Sequence, residues 1–150
     1  MVDILHRVGI LATPDQVFDA LTTIDGLAGW WTVDTKGDPN PGGVIEFRFE
    51  GAPPPAGFDI RVLDTAPGRR VGWQVVAGPD EWIDTKINFE LSEEDGFTIV
   101  LFSHTDWREA GPFMHHCSTK WATFLLSLKQ LAETGTGEPA PNDVKISNWH

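Results

Sequence analysis

The stretch that most limits what this chain can become runs from Gly111 to Glu133, GPFMHHCSTKWATFLLSLKQLAE. At 100° per residue, Met114, Cys117, Trp121, Phe124, Leu125, Leu128 and Ala132 share one face of a helix. His115, His116, Thr119, Thr123 and Lys129 fall off it. Pro112 suits a first helical position, where its fixed φ is helical and its missing N–H has no partner to lose. Gly135 and Gly137 supply the stop. So long a helix with so bulky a stripe must lie on a broad apolar surface, which the preceding residues have to provide.

They read as one antiparallel sheet. Val2 to Ala12 carries Val2, Ile4, Val8 and Ile10 on one parity, with His6 between them. Thr13-Pro14-Asp15-Gln16 has the chemistry of a capping box. Val17, Phe18, Leu21 and Ile24 then recur at helical spacing, and Gly26 and Gly29 are expected to break this into one short helix or two, with Trp30-Trp31 following into a short extended piece. Val44 to Glu50 alternates Ile45, Phe47 and Phe49 against Glu46, Arg48 and Glu50, the pattern of a half-buried strand. A proline-rich loop is expected over Gly51 to Gly57, a strand over Phe58 to Thr65, and another around Val71, Trp73 and Val75. Gly72 and Gly78 are candidate points of curling. The last two strands, Trp82 to Ser92 and Phe97 to Trp107, form a hairpin. A four-residue loop would set Thr85 opposite His104; a two-residue Asp95-Gly96 turn shifts the register by two. Under either turn Ile87, Phe89, Val100, Phe102 and His104 share the inner face.

The totals exclude several roles. A formal net charge of -11 opposes binding to nucleic acid, whose phosphates require a basic surface. It equally opposes an anionic membrane surface, and no stretch is apolar for long enough to span a bilayer. One cysteine makes no internal disulfide. The start MVDILHRVGIL lacks the form of a signal peptide, so the expected location is cytoplasmic. No cofactor motif is present and none is expected. His115-His116-Cys117 does not make a metal site, because consecutive helical residues diverge by about 100°. Ser103 and His104 likewise point to opposite faces of a strand, which rules out a Ser-His-Asp triad with Asp106.

A greasy sheet face and a greasy helix stripe are best buried by curling the sheet around the helix, giving an α+β domain over 1–135 with a polar tail over 136–150. The order β-α-α-β6-α resembles the helix-grip fold of the START/SRPBCC (Bet v1-like) superfamily. Three stretches resemble the branch named after the activator of the heat-shock protein 90 ATPase. They are Ala12-Thr13-Pro14 through Val17-Phe18-Asp19-Ala20-Leu21 to Trp30-Trp31, then Phe89-Glu90-Leu91 with Asp95-Gly96-Phe97-Thr98 and His104-Thr105-Asp106-Trp107, and finally Trp121 with Phe124-Leu125, Leu128 and the Gly-Thr-Gly-Glu-Pro stop. The superfamily includes lipid and hormone carriers and polyketide cyclases, so the resemblance implies a fold more sharply than an activity.

Seven Trp and nine Phe without a Tyr supply a large aromatic area. Their inward members make either plain core or the wall of a ligand pocket. The candidate wall takes Trp31 from the extended piece after the short helices; Phe47, Phe49, Ile60, Trp73, Ile87, Phe89, Phe102 and His104 from the strands; and Met114, Trp121 and Leu125 from the long helix. His104 is either a core histidine satisfied by a neighbour or a group that orients a ligand or moves a proton. Non-enzymatic binding of a small hydrophobic or aromatic molecule, in a cavity between sheet and helix, is therefore the expected function. A polyketide cyclase/aromatase-like enzyme and a co-chaperone-like interaction module are the alternatives. The module would use Trp82, Leu101 and Trp107, expected on the outward parity. A homodimer is compatible with each.

Overall fold

The computed structural model describes residues 1–52 and 56–150. Part of the expected Gly51–Gly57 loop, residues 53–55, lies outside the described residues. The elements are β1 (Val2–Ile10), α1 (Pro14–Thr22), α2 (Ile24–Trp30), β2 (Asp34–Gly37), β3 (Val44–Arg48), β4 (Gly57–Ala66), β5 (Arg70–Ala77), β6 (Lys86–Glu94), β7 (Phe97–Trp107) and α3 (Pro112–Thr134). The strands form one antiparallel sheet in the order β1-β7-β6-β5-β4-β3-β2. α3 buries Cys117, Trp121, Phe124, Leu125, Ser127 and Leu128, and all but Ser127 join the inward strand residues in one core. This is the helix-grip α+β fold.

Local chemistry explains most boundaries. Thr13 Oγ1 accepts from the Gln16 N–H at 3.2 Å and Gln16 Oε1 accepts from the Thr13 N–H at 2.9 Å, closing the capping box. Thr23 ends α1 and starts α2: its hydroxyl donates to Asp19 O at 2.8 Å and accepts from Gly26 N at 3.0 Å. Gly26 and Gly29 do not break a helix; both lie inside α2. A Cβ on Gly26 would stand 2.7 Å from Ala20 Cα, so glycine is there to let two helices touch.

Asp95 (φ 54°) and Gly96 (φ 82°) are both left-handed, which selects the two-residue turn. Phe89 therefore faces Phe102, and Ile87 faces His104. Two strands are shorter than expected. β3 stops at Arg48, and β6 begins at Lys86 because Pro79 to Thr85 winds into a turn, with Trp82 N–H bonded to Pro79 O at 2.9 Å and Thr85 N–H to Trp82 O at 3.0 Å. In β4, Val62 pairs with Trp73 and Asp64 with Gly72, leaving Leu63 as the extra residue of a bulge. In β7, Val2 pairs with Trp107 but Ile4 with His104, so β7 holds the extra residue, and Asp106 is left-handed at φ 72°. That bulge reverses the parity of Trp107.

α3 is tied to the edge strand β1. Lys129 Nζ donates to Gly9 O at 2.5 Å, and Glu133 Oε2 accepts from the Leu11 N–H at 2.7 Å. At its end Gly135 turns left-handed (φ 89°) and donates to Leu131 O at 2.8 Å. The residues beyond it fold back. Ala140 N–H donates to Trp31 O at 2.8 Å and Ala140 O accepts from Val33 N–H at 3.1 Å, while Glu138 N–H meets Ser127 Oγ at 2.8 Å. Lys120 Nζ reaches Asp143 Oδ2 at 2.5 Å and Val144 O at 2.8 Å.

Candidate functional site

The candidate wall residues come together between α3 and the sheet. Trp31, Phe47, Ile60, Trp73, Ile87, Phe89, Phe102, His104, Trp121 and Leu125 are buried, and Phe49 and Met114 are half-buried. Trp31 is the hub: it stacks on Trp73 (centroids 6.0 Å, planes at 4°) and lies 4.3 Å from Phe47 and 4.9 Å from Trp121. Trp121 in turn lies 4.5 Å from Phe102. Where open room was expected, these rings interlock, because so many aromatic side chains carry enough volume to fill the gap between two curved surfaces. Grooves of about 570 and 490 Å³ lie elsewhere, one between the start of α1 and the β6–β7 turn, the other between α1, α2 and the end of α3. None of the candidate wall residues lines either groove.

One flank of the ring layer reaches the surface. Phe124, Phe49, Phe58, Trp82, Trp107 and Phe113 follow one another at centroid distances of 6.3, 5.2, 4.2, 6.3 and 6.2 Å. Phe49, Phe58 and Phe113 are half-buried, as is Met114, which follows Phe113 in the chain. Trp82 and Trp107 were expected to face outward as an exposed patch; they are 5% and 2% exposed. The turn before Thr85 and the bulge at Asp106 swing them in. Leu101 does face solvent, and the exposed Leu5 is its diagonal neighbour across the β1–β7 pair.

His104 sits beneath this flank. Trp121 Nε1–H donates to its Nδ1 at 3.1 Å, and its Nε2 lies 2.8 Å from Thr85 Oγ1. The Thr85 hydroxyl donates its own proton to Trp82 O at 2.5 Å, so Oγ1 accepts and Nε2 carries the hydrogen. The ring is a neutral tautomer with both nitrogens engaged. Burial pushes its pKa down to about 3. Cys117 is pushed the other way: burial raises its thiol to about 12, against a smaller lowering by the nearby Trp82 indole.

Residues 11–133 match the family described as "Activator of Hsp90 ATPase homolog 1-like protein". The chain belongs to this AHSA1 family. Among solved structures it is similar to the Aha1 dimer of Colwellia psychrerythraea, with 47% identity, a TM-score of 0.82, and coverage of 91% of this chain and 100% of that one. It also resembles SSP2350 of Staphylococcus saprophyticus (18% identity, TM-score 0.74, 93% and 98% coverage) and CalU16 of Micromonospora echinospora (22%, 0.74, 97% and 74%). At those identities the last two speak for the fold alone. None of the curated proteins matches the chain.

Chemically, this AHSA1-family interior offers apolar area and a few fixed donors. Among the described residues no group of three or more His, Cys, Asp or Glu side chains gathers where it could hold a metal ion, and no helix is long and apolar enough to cross a membrane. Ser103 is on the opposite side of β7 from His104, as strand alternation requires. Phe58, Trp82, Trp107, Phe113 and Phe124, all on the flank, are ring-layer members that the candidate wall lacked. For Phe58 the inward parity was a usable signal; for the two tryptophans the signal would have been a left-handed aspartate, which alternation does not reveal.

Proposed function

We propose that this chain is a non-enzymatic binder of a small hydrophobic, aromatic molecule, taken up between α3 and the sheet. The observation that carries the reading is the ring layer itself, which runs unbroken from the buried Trp31 out to the half-buried Phe49, Phe58, Phe113 and Met114. A ligand enters at that flank by taking the places of rings that already border water. Phe and Met side chains move there at low cost, and each square ångström of apolar surface they and the ligand share contributes about 25 cal/mol. The candidate wall residues Trp31, Phe47, Trp73, Phe102 and Trp121 form the floor.

His104 favours a binder over a cyclase. A general acid or base works best with a pKa near the operating pH, and a ring held neutral down to about pH 3 with both nitrogens occupied neither gives nor takes a proton near neutrality. The cytoplasm is the compartment proposed, in keeping with a lone cysteine. Native mass spectrometry of the purified protein tests the reading through a co-purified mass. A bare mass, combined with unmoved indole signals of Trp31, Trp73 and Trp121 under a panel of aromatic ligands, excludes it.

The dimeric state of the Colwellia relative supports a second inference, that this chain also pairs with itself. Leu5 and Leu101, 69% and 48% exposed on the outer face of β1 and β7, are the apolar contact proposed for it. Light scattering should report twice the chain mass, and Leu101→Glu should halve it; a monomeric parent protein rejects the proposal.

A further inference from the structure

Among the described residues, two buried hydrogen-bond donors in the ring layer lack an oxygen or nitrogen acceptor. The indole Nε1–H groups of Trp82 and Trp107 are closed off from solvent, and neither has a hydrogen-bond partner among the described residues. Both belong to one place in the fold. The two indoles flank the His104 ring at 4.6 and 5.0 Å and lie 6.3 Å from each other. His104 cannot serve them, because its one bare nitrogen already accepts from Trp121. Trp82 Nε1–H approaches the Cys117 sulfur closely enough to lower its thiol slightly, but sulfur is a weak acceptor and the contact lacks hydrogen-bond geometry.

An N–H buried without an acceptor is costly, and folded proteins leave few of them. Here the chain bends out of its way to bury two. Asp84 (φ 70°) follows Trp82 by two residues and Asp106 (φ 72°) immediately precedes Trp107, and these left-handed aspartates turn both indoles inward. Side chains that themselves border water pack on the pair: the half-buried Phe58 stacks on Trp82 at 4.2 Å, and the half-buried Phe113 lies 6.2 Å from Trp107.

We propose that Trp82 and Trp107 read a hydrogen-bond acceptor on the ligand, so that the molecule bound is an uncharged aromatic bearing a carbonyl-type oxygen rather than a plain hydrocarbon. The inference rests on the binding function proposed above and names its chemical class. A neutral oxygen fits because the indoles are surrounded by rings, and the cations bordering the ring layer, Arg48 and Lys120, are already paired with Asp59 and Asp143. The oxygen supplies what the two donors lack, and the aromatic body replaces the displaced Phe58 or Phe113.

The test compares 2-acetylnaphthalene with 2-isopropenylnaphthalene, which replaces the C=O by C=CH2 at nearly the same shape. With the native protein the ketone should bind about tenfold tighter in calorimetric titration, the worth of one to two net hydrogen bonds. Trp82→Phe and Trp107→Phe keep an aromatic ring but remove the N–H, and each should shrink that preference. The variants also assign the two indole N–H cross-peaks, so the native protein can be read directly by NMR: those two signals should move downfield with the ketone and not with the hydrocarbon. Equal affinity for the two probes, or shifts confined to other indoles, overturns the acceptor assignment while leaving hydrophobic binding intact. Binding of neither probe overturns both.

Discussion

Trp121 donates its indole hydrogen to the bare Nδ1 of His104, tying the middle of α3 to β7 at 3.1 Å. With Thr85 on the far nitrogen, the imidazole is held in one tautomer by two elements that α3 must press together. A second ring proton would point Nδ1–H at the Trp121 N–H, donor against donor. The contact is therefore a fold determinant with a pH signature.

The sign of that signature follows from the folded pKa of about 3 lying below the ordinary 6.5. Below pH 6.5 the unfolded chain takes up a proton that the folded chain refuses, so stability falls as pH drops and levels off near pH 3. The slope is about 1.4 kcal/mol per pH unit from this one group. Urea unfolding at pH 7.5, 6 and 5 should show it as a difference between the native protein and His104→Gln, which keeps a donor and an acceptor but does not titrate. Parallel pH profiles for the two would refute the assignment.

Thr85→Val tests the other nitrogen. The substitution preserves shape and removes the oxygen that accepts from Nε2–H, leaving a buried donor bare. A loss of about 1–3 kcal/mol is expected in the unfolding free energy. A change within error would mean that the 2.8 Å contact contributes nothing.

Much of this was legible beforehand, and the exceptions share one physical origin. Strict alternation over Ile45–Phe49, the hairpin parity that sets Ile87 and Phe89 with Val100, Phe102 and His104, and the stripe from Met114 to Leu128 made the sheet, the helix and their buried faces readable. His104 was placed inward by the same parity. Periodicity says nothing about a single inserted residue, and one bulge at Asp106 was enough to turn Trp107 from the solvent face to the core. Periodicity also carries no volume, so it could place Trp31, Trp73 and Trp121 around one space without revealing that their rings fill it. Gly26 was misread for a related reason: a glycine in helical sequence looks like a stop, and only the approach of α1 shows why it is there.

Gly26 makes that point measurable. Gly→Ala within a helix ordinarily stabilises by about 0.5–1 kcal/mol. In α2 the new Cβ would lie 2.7 Å from Ala20 Cα and 2.8 Å from Asp19 O, both backbone. Gly26→Ala should therefore destabilise, by about 1–3 kcal/mol. Gly29→Ala meets only the flexible Leu131 side chain, at 3.0 Å, and should cost less. Thermal melts of the pair decide it; equal melting temperatures would contradict the close helix contact.

Cys117 offers a test of the closed flank. A thiol pushed up to about 12 by burial is thiolate in only about one molecule in ten thousand at pH 8. A disulfide-exchange reagent such as Ellman's should leave the native protein unmodified and react with it in urea. Rapid native labelling would show that the Phe113–Met114 side of the ring layer opens readily.

The residues after Gly135 give the last prediction. Lys120 and Asp143 keep only 15% and 7% of their side chains exposed, and Lys145 adds a second contact at 2.7 Å. Burial raises the Asp143 carboxyl, but hydrogen bonds from Lys120 and Lys145 outweigh it and hold the carboxyl below its ordinary value. Its contribution is thus present above pH 3.8 and is lost as pH falls through the lower folded value. Lys120→Ala removes the better-buried partner and should cost about 1–3 kcal/mol, less than a fully buried pair because Lys145 remains. Hydrogen exchange separates two outcomes. If the tail only leans on the domain, the variant speeds exchange at Ala140 alone. Because Ala140 bonds both Trp31 O and Val33 N–H, release should also speed exchange at Val33, carrying the loss into the α2–β2 connection that holds the hub tryptophan.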